Sequence, residues 1–162
     1  DYKKEQNAEK EREIKIIKDY LAKNKINAVQ TPEGVFVVVK EQGDLSHKVD
    51  STKQVSVFYK GYTLKGETFD TNIKPNDPNP KPYDVVLGKN TVIPGWEIGL
   101  QYFAKGGKGS IYVPAMLAYG PQANGALKAY ENLAFDIEIQ DVMMPQVGPA
   151  ANAIPGATPK AK

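Results

Sequence analysis

Residues 92–100, VIPGWEIGL, set the single tryptophan of the chain between an apolar β-branched pair and a short amphipathic run. Val92 and Ile93 favour extended backbone, Pro94 stops a strand from continuing and Gly95 frees the turn. Trp96, Ile98, Leu100 and Tyr102 then open a short helix. A tryptophan at a helix start tends to lie beneath whatever covers that end, so the segment marks an inner point of the fold. Taken alone, ordinary core burial of a large aromatic accounts for it as well.

The flanking segments show the period of strands. Val55, Val57 and Tyr59 share one face, and Leu133, Phe135, Ile137 and Ile139 alternate with Ala134, Asp136, Glu138 and Gln140, the pattern of an antiparallel sheet with one solvated side. Only the Trp96 segment is suited to a helix within this region. The fold class is therefore α+β, a curved antiparallel sheet wrapped over one short α-helix and preceded by an N-terminal helix.

That N-terminal helix is predicted over residues 5–24. Ile14, Ile17 and Leu21 form one stripe, and Glu11, Lys15, Asp19 and Lys23 form an i,i+4 ladder of alternating sign. So narrow a stripe fits a largely solvated helix docked by one edge, or a seam with a second copy of the chain. Thr31-Pro32-Glu33-Gly34 reads as a turn, Val35 to Val39 as a strand, and residues 42–52 as a polar connection. The organisation expected is a helix and lead-in strand over residues 1–52, a main domain over 53–144 and a tail over 145–162. Eight of the 12 prolines fall in two places, the loop NIKPNDPNPKP and that tail, and neither can be a central strand.

Composition excludes several classes of function. A net charge of +2, with acids and bases interspersed, offers no single-sign field for nucleic acid or lipid, and an aromatic single-strand binder needs a basic groove beside its rings. There is no 18-residue apolar run and no secretory hydrophobic segment, although a removed targeting segment is compatible with the sequence. With no cysteine, disulfides and thiolate chemistry are absent. His47, the one histidine, sits in a polar stretch and reads as a surface residue, so a Ser-His-Asp relay or a histidine metal site has no basis. AKGGKGS lacks the spacing of a phosphate-binding loop and reads as a turn into a strand with positive φ at Gly106 or Gly107.

Seven segments occur in a telling order: VSVFYKG, GETFDT, PYDVVLG, VIPGWEIGL, AKGGKGSIYVP, LAYG and NLAFDIEI. Together, over roughly residues 53–143, they resemble the FKBP-type peptidyl-prolyl cis/trans isomerases. The resemblance implies the same α+β fold and one shallow pocket lined by Tyr59, Phe69, Asp70, Tyr83, Val92, Ile93, Trp96, Tyr119, Leu127 and Phe135, with Trp96 as its floor. It further implies that the backbone N–H of Ile93 and the hydroxyl of Tyr119 bind substrate carbonyls, and that Asp70 sits at the edge near the twisting amide. Proline-containing polypeptides are the implied partners, macrolides of the rapamycin type are implied ligands, and no cofactor is required. The N-terminal helix followed by TPEGVFVVVKEQG resembles the extensions of exported or lipid-anchored bacterial members, which implies a periplasmic or outer-membrane-anchored home, the cytoplasm being the alternative. A prolyl-peptide-binding module or holdase chaperone with little catalysis is the competing function.

Two departures from the family pattern stand out. Where the family carries an Ile-Pro-Pro segment before its last strand, this chain has Leu127, Lys128, Ala129, Tyr130 and Glu131, and the loop Asn72 to Lys81 offers no arginine to Asp70. In the tail, Ile154-Pro155 is a dipeptide of the type such a pocket accepts. It either seats in a neighbouring molecule or packs along its own domain.

Overall fold

The N-terminal helix starts where a capping side chain allows it. Asp1 accepts the Lys3 N–H at 3.2 Å, and α1 runs over Tyr2–Lys23, until Lys25 at φ 56° reverses the chain and the Ile26 N–H closes on the Leu21 carbonyl at 2.9 Å. In this computed structural model, which describes residues 1–146, the helix is followed by β1 (Val29–Gln30) and β2 (Phe36–Glu41). The predicted turn joins them: Gly34 takes φ 105°, and the Gly34 N–H bonds the Thr31 carbonyl at 3.0 Å. Ile154-Pro155 lies outside the described residues.

The remaining elements are β3 (Asp44–Lys48), β4 (Gln54–Thr63), β5 (Thr68–Thr71), β6 (Tyr83–Val86), α2 (Pro94–Gly99), β7 (Ala104–Lys105), β8 (Lys108–Val113) and β9 (Leu133–Met143). One antiparallel seven-stranded sheet runs β1-β2-β8-β9-β4-β5, with β6 pairing a second stretch of β4. β4 therefore shares one edge between β6, along Gln54 to Val57, and β5, along Lys60 to Tyr62. The loop between those two strands spans the gap.

Two expectations are corrected. Residues 42–52 are not only a connection, because β3 pairs with β7 in a separate two-stranded ladder. The strand was hidden because every residue of it is exposed, so no alternation marks it. The diglycine turn then ties β7 to β9, with Gly106 at φ 82° donating to the Ile139 carbonyl at 2.7 Å.

The second correction concerns the sheet face read as solvated. Ala134 is fully buried, because α1 crosses that face and forms a second core of Ile17, Leu21, Phe36, Tyr112 and Ala134, with Ile14 and Tyr20 packed on it. The apolar stripe of the helix is thus turned onto the sheet of its own chain, and most of its other residues stay exposed, as expected of a largely solvated helix docked by one edge. Full burial of aliphatic side chains such as Ile17 and Leu21 contributes roughly 1.5–3 kcal/mol each. The opposite face holds the main core around Trp96, Leu100, Phe103, Ile111, Leu133 and Phe135.

Candidate functional site

Trp96 is fully buried, and its placement follows from the local sequence of α2. Pro94 occupies the first turn, where its missing N–H is not needed. Ile93 precedes the helix in extended backbone, and its carbonyl accepts the N–H groups of Trp96 at 3.0 Å and Glu97 at 3.3 Å. The N–H of a residue in that position stands outside the helical hydrogen-bond ladder.

Gly95 acts differently from the turn role expected of it. It is helical, and a methyl group there would run into the Val113 side chain, while one on Gly99 would come within 2.9 Å of Ile111 Cγ2. The two glycines let α2 lie directly on β8, which presses the indole up among the aromatic side chains of the sheet.

Those rings meet Trp96 by their edges. Tyr59 stands 5.1 Å away at 83°, Phe135 5.5 Å away at 83° and Tyr83 6.3 Å away at 73°. Phe69 continues the chain of contacts, 5.7 Å from Phe135 at 79°. Such edge-to-face pairs contribute about 0.5–1.5 kcal/mol each beyond the area they bury. Gly61 makes room for two of them, since a methyl there would lie 2.7 Å from Phe69 Cζ and 3.0 Å from Phe135 Cε2.

Val92, Ile93 and Leu127 are buried in the same core, and Phe69, Tyr83 and Tyr119 are half-buried against it. Asp70, on β5, accepts the Tyr59 hydroxyl at 2.8 Å, which supplies the partner that the sequence left unassigned. Its charge also acts on the hydroxyls of Tyr83 and Tyr119. Burial first, and Asp70 second, push the Tyr59, Tyr83 and Tyr119 phenols upward from their ordinary value. All three stay protonated through neutral pH, so each has a proton to donate and none is a base. The Trp96 Nε1–H is buried with no hydrogen-bond partner among the described residues.

The loops are held by backbone bonds. Leu127 exchanges two bonds of 2.9 Å with Asn124, and the Tyr130 N–H reaches the Gly120 carbonyl at 2.8 Å, so the stretch lacking Ile-Pro-Pro is pinned by its own turns. Sequence reasoning missed Asn72, whose side chain accepts the Tyr59 N–H at 2.9 Å and donates to the Val57 carbonyl at 2.9 Å and the Lys81 carbonyl at 3.2 Å. It fills the gap on β4 between β5 and β6; its only signal is an asparagine directly after the FDT strand. Leu117, Ala118 and Ile98 also pack on the cluster, though none of them was among the residues expected to line the pocket. His47 is exposed, with Nδ1 2.9 Å from Asp44 Oδ2.

A family model described as FKBP-type peptidyl-prolyl cis-trans isomerase matches residues 46–140. The chain belongs to this FKBP-type family. It is 36% identical over 114 residues to the FKBP-type peptidyl-prolyl cis-trans isomerase FkpA of Buchnera aphidicola subsp. Acyrthosiphon pisum, covering 70% of this chain and 44% of the relative. With FkpA of Aeromonas hydrophila the identity is 33% over 129 residues, covering 78% and 46%. The crystal structure of FkpA from Escherichia coli superposes with a TM-score of 0.68 at 30% identity, covering 87% of this chain and 62% of that one. This FKBP-type chain thus spans less than half the length of these curated relatives. Its fold matches the expectation: an N-terminal helix, an antiparallel sheet and one short helix under it.

Proposed function

We propose that the chain accelerates cis/trans rotation about X-Pro bonds in unfolded or flexible polypeptide segments. The observation that carries this reading is the buried indole of Trp96 ringed edge-on by Tyr59, Tyr83 and Phe135, with Asp70 held at the margin by the Tyr59 hydroxyl. Rotation is opposed by amide resonance, a barrier of about 18–20 kcal/mol. The planar amide has a strong dipole that water stabilises, and the twisted amide a weaker one. A dry aromatic surface therefore disfavours the ground state relative to the transition state. In this reading Ile93 offers its N–H and Tyr119 its hydroxyl to substrate carbonyls, Asp70 faces the twisting amide, and Phe69, Val92 and Leu127 complete the apolar wall. No proton is transferred, so protonated phenols suit the task. Each ~1.4 kcal/mol of differential stabilisation gives a tenfold gain in rate.

Rapamycin-type macrolides are the proposed inhibitors, and an extracytoplasmic bacterial compartment is the proposed home, supported by the helix and TPEGVFVVVKEQG extension. The test is an isomerisation assay on a series of X-Pro peptides with and without rapamycin. Acceleration abolished by the ligand is the expected result. Suppression of client aggregation that survives the ligand, with no acceleration, would replace catalysis by a holdase function.

A further inference from the structure

Glu13 is the one acidic side chain of α1 that is fully buried, and it lies at the contact between the helix and the segment leading to Tyr119. Its Oε1 accepts the N–H of Met116 at 2.9 Å. Met116 is the middle residue of a 3₁₀ turn, Ala115–Leu117, whose first carbonyl receives the Ala118 N–H at 2.9 Å and the Gly120 N–H at 2.7 Å. Those two bonds bracket Tyr119. Asn132 braces the same turn, accepting the Ala115 N–H at 3.0 Å while its Nδ2 donates to the Glu13 carbonyl at 3.4 Å. Glu13 thus connects the N-terminal helix to the residue proposed to bind substrate.

The second carboxyl oxygen explains how an acid is tolerated there. Glu13 Oε2 is buried with no hydrogen-bond partner among the described residues, yet the group it interacts with is another carboxyl, that of Glu9 one helical turn earlier. Two acceptors make no bond unless one carries a proton. Glu9 is held charged by the Arg12 guanidinium, through contacts of 3.0 and 2.7 Å, so the proton belongs on Glu13 and is directed at Glu9.

We propose that protonated Glu13 is a positioning residue for the isomerase site, holding the Ala115–Leu117 turn, and through it Tyr119, in register with the Trp96 floor. Burial, followed by the Glu9 contact, raises its pKa from 4.5 to about 8. The charged groups acting on it are Glu9 and Arg12, both on α1; the opposing side offers the Met116 N–H and the Asn132 amide, and Tyr130 borders the groove beside Glu9. The sign follows from the raised value. The stabilising protonated form is complete below 4.5, and the contribution is lost as pH rises toward and through about 8. The Met116 N–H by itself favours the charged carboxyl, so what ionisation breaks is the Glu9–Glu13 contact; rotation of a peptide bond uses no acid or base, and the phenols at the site titrate higher still, so an alkaline fall in rate reports on that contact.

The activity arm of the test rests on the isomerase reading; a spectroscopic arm does not. Wild type and Glu13→Gln, which keeps both the acceptor for Met116 and a donor for Glu9 without needing a proton, are compared between about pH 6.5 and 9.5. Wild-type kcat/KM on an X-Pro peptide should fall at least about fivefold, the low end of coupling between linked sites, while Glu13→Gln stays flat and within about twofold of wild type at neutral pH. In parallel, NMR signals of the Met116 amide and the Tyr119 ring should titrate in wild type and not in the variant. Unmoving wild-type signals, a flat wild-type profile, or a variant that titrates like wild type would overturn the proposal. Signals that titrate as expected in a protein with no isomerase activity would uphold the contact and remove the isomerase reading.

Discussion

A tyrosine hydroxyl donates to an aspartate on each face of β4, at almost the same distance. Tyr59 bonds Asp70 at 2.8 Å on the Trp96 side, and Tyr62 bonds Asp136 at 2.9 Å on the α1 side. Both phenols are pushed upward, by burial first and by the aspartate second. The surroundings differ. Asp136 is exposed, takes a second bond on the same oxygen from Ser110 at 2.9 Å, and has Lys60 5.8 Å from the Tyr62 ring. Asp70 is half-buried beside a fully buried indole and acts on two further phenols. A Tyr–Asp pair does not by itself mark a site; in the proposed reading the dry aromatic floor beneath Tyr59 and Asp70 makes the difference.

The strongest way to break this contrast is to remove the floor. Trp96→Ala should cost about 3–5 kcal/mol of stability, measured by denaturant unfolding, and abolish both isomerisation and macrolide binding. Full activity with unchanged stability would show that the site lies elsewhere. A sharper comparison sets Tyr59→Phe against Tyr62→Phe. Each loses one hydrogen bond, about 0.5–1.5 kcal/mol net, but only Tyr59→Phe should lower kcat/KM, by up to about tenfold, while Tyr62→Phe stays within about twofold. Equal losses would erase the distinction between the faces. A smaller loss than that of Tyr59→Phe is expected for Tyr119→Phe, a severalfold drop in kcat/KM on an X-Pro peptide, since one hydroxyl is lost and the ring remains in place.

What the sequence disclosed follows the same division. The inner face was legible because Val55, Val57, Tyr59, Leu133, Phe135, Ile137 and Ile139 repeat with the period of a strand, and because motif order marked the rings around Trp96. The outer face was legible only in part: Asp136 and Gln140 are exposed as their polarity suggested, but Ala134 lies in the core that α1 covers. A helix with three well-spaced apolar residues does not state which surface it will choose. Asp70 lacked a visible partner because Tyr59 is eleven residues away on a neighbouring strand, and such register is set by β4 and β5 together. The burial of Glu13 was hidden for a related reason: nothing in EREIK distinguishes it from Glu9 or Glu11 until Met116 arrives from a hundred residues downstream.

The central pairing of the sheet has a temporal consequence. β4 lies against β9 along its whole length, from Gln54 opposite Met143 to Thr63 opposite Leu133, and β9 is also the strand inserted between β4 and β8. Closing that contact brings together segments separated by about half of the described chain, the kind of non-local step that makes folding slow. While the polypeptide emerges from the ribosome, β4 and β8 have unsatisfied edges until residues 133–143 are free, and Phe135 cannot reach the indole before then. A factor whose proposed task is to ease the folding of others is, during its own synthesis, a late-closing and aggregation-exposed client.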